Sequence, residues 1–297
     1  MELEEAAAER GTPGGDADRL SALPDSLLHA VMSFLKARQV VQTCVLSARW
    51  RHLWRSVPCL DLDSDEFRTP AASAPSNHPA PVHEYSDSDI ESYEDSEDDN
   101  DDSNDGGDNR EREWEGFEDF AENLMHRFNV AQLDSLRLRV CRTRAPSFAD
   151  RQAGGWLRRA MKYCTPDPPR QREGLSSSSW PLKRLYLCNV ALEGHFAKHV
   201  SSVCHSLEDL ELEDCTCGIR SITSRSLKNL VLKSCRWRHL SEITSPTLKS
   251  LVISGGSNTD ECVLVIVAPA IAHLSLDVSL RFARRISVNQ KPSLPSF

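Results

Sequence analysis

Between Leu20 and Val57 the apolar positions recur with the period of a helix face, three times in succession. Leu27, Leu28, Val31, Phe34 and Leu35 follow Pro24, a residue suited to the first helical position. Val40, Val41, Cys44 and Val45 repeat the pattern, and Trp50, Leu53, Trp54 and Val57 repeat it again. The spacing predicts three short helices carrying more apolar surface than a unit of about 40 residues buries alone. A partner surface is therefore expected to complete the segment. A longer helical face is predicted from Trp114 through Phe117, Phe120, Ala121, Leu124 and Met125 to Phe128.

Further on, the period changes. Leu182-x-x-Leu185-x-Leu187 returns at Leu207, Leu227, Leu248 and Ile271, after 25, 20, 21 and 23 residues. Ile222, Ile243 and Ile266 keep the same step in a second register. An earlier copy, Leu133-x-x-Leu136-x-Leu138, leaves room for one degenerate repeat near 156–181. Such a period indicates a leucine-rich-repeat solenoid, in which each copy adds one short strand to a parallel sheet. Inward leucines stack, and the residues between them line the concave face. Arg137, Arg139, Arg184 and Tyr186 are expected there as a basic and aromatic zone, Asp209, Glu211 and Glu213 as an acidic one, followed by Asn229 and Lys233.

Charge is distributed unevenly. The 297-residue chain carries a net charge of -9, yet Glu84 to Asp108 alone holds 13 acidic residues and no Lys or Arg, leaving the remainder at +4. With the Ala/Pro/Ser-rich stretch from Thr69 to Pro81, this tract marks 58–113 as a disordered acidic linker. Ser86, Ser88, Ser92 and Ser96 each precede an acidic residue by three positions, a context for acid-directed phosphorylation. Residues 1–19 read as a disordered lead, 20–57 as the helical unit and 114–297 as the repeat domain, with no cap after the last repeat. The longest apolar run, Cys262 to Ala272, is interrupted by Pro269 and falls short of a membrane span. No export signal opens the chain, so an intracellular protein, nuclear or cytoplasmic, with reduced thiols is expected.

Motifs for catalysis are absent: no Gly-x-Ser-x-Gly, no His-Glu-x-x-His, no phosphate-cradling glycine loop. Cys215 and Cys235 stand where repeats of this kind pack a residue under the turn. A rival grouping of Cys188, His195, His199, Cys204 and Cys217 as metal ligands lacks any Cys-x-x-Cys pair, so neither metal nor cofactor is expected. Trp50 and Trp54 among Arg49, Arg51, His52 and Arg55 could suggest a DNA-reading helix, but an adjoining polyanion would compete with phosphate for those arginines. Neither nucleic acid nor membrane is expected as a partner.

Leu23-Pro24-Asp25 with Leu27-Leu28, then Ser33-Phe34-Leu35, Cys44-Val45-Leu46-Ser47 and Arg49-Trp50-Arg51-His52-Leu53-Trp54 resemble an F-box of plant type. With the repeats behind it, the chain resembles plant F-box/leucine-rich-repeat proteins, in which an FBD domain often follows; here no FBD-like segment is expected. The resemblance implies a non-catalytic substrate receptor of a Skp-cullin-F-box ubiquitin ligase. By motif position Leu23, Pro24, Leu27, Leu28, Val40, Val41, Leu46, Trp50 and Trp54 would contact the Skp-type adaptor or support that interface. The concave face would hold an unknown target protein. A non-degradative interaction module that assembles no ligase is the alternative.

Overall fold

The computed structural model describes residues 23–68, 105–141, 149–162, 182–202, 204–237, 239–258 and 263–289. The expected lead, most of the acidic tract with its four serines, and 163–181 of the expected degenerate repeat lie outside the described residues.

Three short helices open the structure: α1 (Asp25–Met32), α2 (Ala37–Gln42) and α3 (Trp50–Leu53). Pro24 is one residue outside α1, at its N-cap with extended backbone, and its carbonyl accepts the Leu27 and Leu28 amides. The single stripe expected through Leu27, Leu28, Val31, Phe34 and Leu35 divides. Leu28 and Met32 face inward, Leu27 and Val31 face water, and Phe34 lies past the end of α1. Single 3-10 turns, Thr43–Val45 and Trp54–Ser56, extend α2 and α3.

The chain does not then enter a linker. Cys59-Leu60-Asp61-Leu62-Asp63 forms β1, with Leu60 and Leu62 buried, and pairs in parallel with β2 (Ser135–Arg139). A 3-10 turn, Ser64–Phe67, follows, and α4 (Asp105–Arg127) begins before the expected linker has ended. The linker assigned to 58–113 is thus corrected at both ends. Alternation of Leu and Asp over five residues is a strand signal that the polar stretch beyond it obscured.

This placement joins the helical unit to the repeats. β1 continues into β2, β3 (Arg184–Cys188), β4 (Asp209–Glu213), β5 (Asn229–Lys233), β6 (Ser250–Ser254) and β7 (His273–Asp277), a seven-stranded parallel sheet in chain order. Leu60, Leu136, Leu185, Leu210, Leu230, Leu251 and Leu274 pair across it, as do Leu62, Leu138, Leu187, Leu212, Leu232, Ile253 and Leu276. Both rows are buried from β1 to β6, each leucine contributing about 2 kcal/mol by leaving water. On β7, Leu274 and Leu276 are exposed.

After each of β3 to β6 one residue turns left-handed: Asn189, Asp214, Ser234 and Gly255, at φ 59°, 51°, 50° and 64°. Asn, Asp and Gly tolerate that conformation, which lets the chain turn a corner in one step. The next residue packs beneath the corner. Cys215 and Cys235 occupy this place, buried, and their thiols donate to the carbonyls of Leu187 and Leu212 in the preceding copies. In the last copy it is Gly256, where a Cβ would lie 2.3 Å from the Cys235 carbonyl oxygen. Two-residue strands follow each corner and form a four-stranded sheet, while the Ile222, Ile243 and Ile266 register forms another with Ile286–Val288.

One continuous core runs the length of the molecule. Trp54 and Val57 of the helical unit belong to the same buried cluster as Phe117, Leu124 and Met125 of α4 and the sheet leucines. Aromatic rings seal the junction, with Phe67 edge-on to Phe117 at 5.5 Å and Trp114 against Trp156 of α5 (Ala149–Lys162) at 6.4 Å. Part of the apolar surface expected to need another polypeptide is therefore buried in this chain's own core, with β1 packed against α2.

Candidate functional site

Two surfaces remain after the core is formed. The first is on the helical unit. Leu28, Val40, Trp50 and Trp54, four of the residues expected at an adaptor interface, are interior and offer a partner no surface. Leu23 and Val41 are half-buried against the core. Pro24, Leu27 and Leu46 are exposed, and with them three residues outside that expectation: Val31, Phe34 at 88% and Val45 at 83%. Counting turns signals them: Val31 stands four residues after Leu27, on a face that Leu28 and Met32 leave open.

The supports of this surface are polar. Asp25 pairs with Arg49, tying the start of α1 to the segment before α3. His29 reaches the Leu53 carbonyl (3.2 Å) and the Ser56 hydroxyl (3.3 Å) with Nε2. Lys36, between α1 and α2, donates at 2.7 Å to Asp63 at the end of β1. Arg38 donates to the Glu66 carbonyl at 2.6 Å and lies over the Phe67 ring. These bonds fix the exposed apolar patch relative to the sheet.

The second surface is the open face of the seven-stranded sheet. Every residue expected on it appears there in the paired register: Ser135-Arg184-Asp209-Asn229 at one level, Asp61-Arg137-Tyr186-Glu211-Val231 at the next, and Asp63-Arg139-Cys188-Glu213-Lys233 at the third. Asp61 and Asp63, supplied by the unforeseen β1, extend the expected set.

Most charges on this face are paired. Arg184 donates to Asp134 at 2.7 Å and Lys233 to Glu211 at 2.7 Å. Arg139 lies 3.5 Å from Asp63 and donates to the Tyr186 hydroxyl at 3.1 Å, which in turn donates to Glu213 at 2.5 Å. The Tyr186 ring has Arg137 and Arg139 beside it at 5.6 and 5.7 Å. Burial and the bond to Glu213 hold the Tyr186 hydroxyl well above its usual ionisation range, although Arg139 opposes them. Burial raises Asp61 as well, against the pull of Arg137.

Thiol chemistry runs opposite to that of a nucleophile. The Cys188 thiol is pushed up by burial, and that of Cys215 by its contact with Cys235 and then by burial. Cys215 pulls the Cys235 thiol down, but the Cys217 contact and burial outweigh it, leaving Cys235 pushed up to about 12. A reactive cysteine needs the reverse shift. Among the described residues no three His, Cys, Asp or Glu side chains converge as metal ligands, and no helix is long and apolar enough to cross a membrane.

A helical unit of this build joined to a parallel repeat sheet defines an F-box/leucine-rich-repeat architecture, and comparison with known proteins agrees. Residues 20–62 match the F-box domain, a span that includes most of β1, and residues 156–277 match the repeats of the family described as "FBD-associated F-box protein At5g56370, LRR repeats". The rice (Oryza sativa subsp. japonica) MEIOTIC F-BOX protein MOF is 30% identical over 289 residues, covering 89% of this chain and 51% of that protein. From Arabidopsis thaliana, F-box/FBD/LRR-repeat protein At5g53840 is 43% identical over 65 residues, 22% of this chain and 15% of the relative, and FBD-associated F-box protein At5g18780 is 49% identical over 61, 20% and 14%. The F-box and the repeats here are thus those of a chain whose relatives are plant F-box/FBD/LRR-repeat proteins. The chain spans about half the length of the rice relative and smaller shares of the two from Arabidopsis. No solved structure matches.

Proposed function

We propose that this chain is a substrate receptor of a Skp-cullin-F-box ubiquitin ligase, docking a Skp-type adaptor through the apolar patch of its F-box and holding a target protein on the open face of its repeats. F-box domains in general bind Skp1-type adaptors. The observation that carries the reading is the exposure of Leu27, Val31, Phe34, Val45 and Leu46 together in a unit whose other large apolar side chains are buried or half-buried. Exposed large apolar side chains concentrated in one small unit mark a protein-interaction site. The repeats form a solenoid whose concave face is the open face of the large sheet, with Arg137, Arg139, Arg184, Tyr186, Asp209, Glu211, Glu213, Asn229 and Lys233 as its binding residues.

Catalysis in such an assembly is by proximity. The receptor raises the effective concentration of a target beside a charged ubiquitin-conjugating enzyme, and the bond chemistry belongs to other subunits. Efficiency depends on how firmly the target is held relative to the adaptor. Here the last helical turn of the F-box and β1 are separated only by Val57 and Pro58, which supports a stiff transmission of geometry.

The test is co-purification of the full chain with a Skp-type adaptor and cullin from nuclear and cytoplasmic extracts. The wild-type chain recovers both, and Pro24→Ala with Leu27→Ala recovers less adaptor. A repeat-bound protein that accumulates under proteasome inhibition identifies the target. Retained adaptor in the double variant counts against the docking surface; adaptor binding without any stabilised protein points to a non-degradative module.

A further inference from the structure

On the open sheet face a depression of about 340 Å³ crosses β2, β3, β4 and β5, from Ser135 and Arg137 at one end to Asn229 and Val231 at the other. Tyr186 lines its middle. At the third level the network Arg139, Tyr186, Glu213 bounds it, so an occupant lies across the strands at the first two levels.

Positive groups on β2 and β3 give way to negative ones on β4, and the groups differ in commitment. Arg184, Arg139 and Lys233 are tied to Asp134, Asp63 and Glu211. Arg137 makes no ion pair with a carboxylate among the described residues, although Asp61 stands beside it on β1 within its electrostatic pull; its guanidinium lies 5.6 Å from the centre of the Tyr186 ring. A cation–π contact satisfies no N–H group with a carboxylate, so those of Arg137 are left for an acceptor. On β4 Asp209 accepts from Asn229 through Oδ1 and Glu211 from Lys233 through Oε1, each keeping a second oxygen for a donor. A uniformly acidic segment would satisfy Arg137 and clash with Asp209 and Glu211. A uniformly basic one would do the reverse.

Spacing sets the remaining requirement. Arg137, Tyr186 and Glu211 are direct partners on three successive strands. Two strand separations amount to about 10 Å, which a segment in the polyproline II conformation, at about 3.1 Å per residue and about three residues per turn, covers in about three residues with both side chains on one side. Resting on the receptor reading above, we propose that this depression selects partner segments in which an acidic side chain stands three residues from a basic one, the acid over Arg137 and the base over Asp209 and Glu211.

Panning phage-displayed random dodecapeptides on the immobilised full chain tests this. The wild-type protein enriches acid-x-x-base or its reverse. Arg137→Glu keeps the basic position and loses the acidic one, and Arg137→Gln weakens the acidic preference at least severalfold; both variants bind adaptor as the wild type does, which shows them folded. The proposal is overturned if the wild type enriches no peptides, enriches peptides without that pair, or if Arg137→Glu enriches the same pair. Such failure with adaptor binding intact removes the assignment of the depression alone. Enrichment of the pair by a chain that binds no adaptor removes the ligase reading and leaves the depression's selectivity standing.

Discussion

Asp63 is the point at which the F-box and the repeat sheet share a charge, and replacing it by Ala tests whether the two move as one body. Its side chain is 3% exposed; one oxygen faces Lys36 Nζ at 2.7 Å and Arg139 at 3.5 Å, and the other accepts the Asp65 amide at 3.0 Å. Removing one member of a fully buried pair costs about 3–5 kcal/mol, because a charge is stranded. Here the stranded charges are not buried: Lys36 is 41% and Arg139 46% exposed, so both turn to water. What remains is the lost cap of the Ser64–Phe67 turn and the charge-assisted bond to Lys36, about 1 kcal/mol each. Asp63→Ala should therefore destabilise the whole chain by about 2 kcal/mol, read from the urea midpoint at unchanged slope. Lys36→Ala leaves the buried Asp63 carboxylate with Arg139 at 3.5 Å and the Asp65 amide, and should cost about 1–2 kcal/mol in the wild type and close to nothing in Asp63→Ala. A loss under about 0.5 kcal/mol for Asp63→Ala, or full additivity with Lys36→Ala, refutes the shared-charge junction.

Three further outcomes follow from particular contacts. Gly256→Ala places a Cβ 2.3 Å from the Cys235 oxygen at a φ of 80° and should destabilise by about 2 kcal/mol or more in thermal or urea unfolding, whereas Gly194→Ala, with nothing within 4 Å, should change stability by less than about 1 kcal/mol. Ser245, 1% exposed, donates to the Leu227 carbonyl at 3.1 Å, so Ser245→Ala should cost about 1 kcal/mol by the same measurement. Tyr186, one of four tyrosines, stays protonated in the folded chain after an exposed tyrosine has ionised; its raised folded value means that stability present below the ordinary tyrosine range is lost as pH rises through that range. A 295 nm titration of the folded wild type should lack one tyrosinate near pH 11 that Tyr186→Phe never had. One tyrosinate more in the wild type than in Tyr186→Phe near pH 11 sinks that assignment.

The repeats were legible because inward leucines obey a strict spacing. Leu133, Leu182, Leu207, Leu227 and Leu248 precede their strands, and the two that follow in each copy stack in rows, so the register of the open face could be read residue by residue. β1 was not legible. Its leading position holds Val57 rather than Leu, its residues lie 76 ahead of their partners, Leu60 against Leu136 and Leu62 against Leu138 marking the register, and it is followed by a composition typical of linkers. Partition of the F-box apolar residues was equally hidden, since helical period groups Leu27 with Leu28 while one turn of geometry sends them to opposite environments. That division depends on β1 packing against α2 and on the shared core, a tertiary fact. The hydroxyls of Ser224 and Ser245 were visible in the Ile-Thr-Ser repeats, but their burial was not; the copy at Ile266 has Ala268, whose amide is met by the Asn289 side chain instead.

Adaptor affinity bears most directly on the docking surface. Phe34 and Val45 are exposed and add nothing to the core, so Phe34→Ala with Val45→Ala should leave the unfolding midpoint of the full chain unchanged while weakening binding to a purified Skp1-type adaptor at least tenfold by calorimetry. Wild-type affinity in that variant, or a wild-type chain that binds no adaptor, contradicts the account.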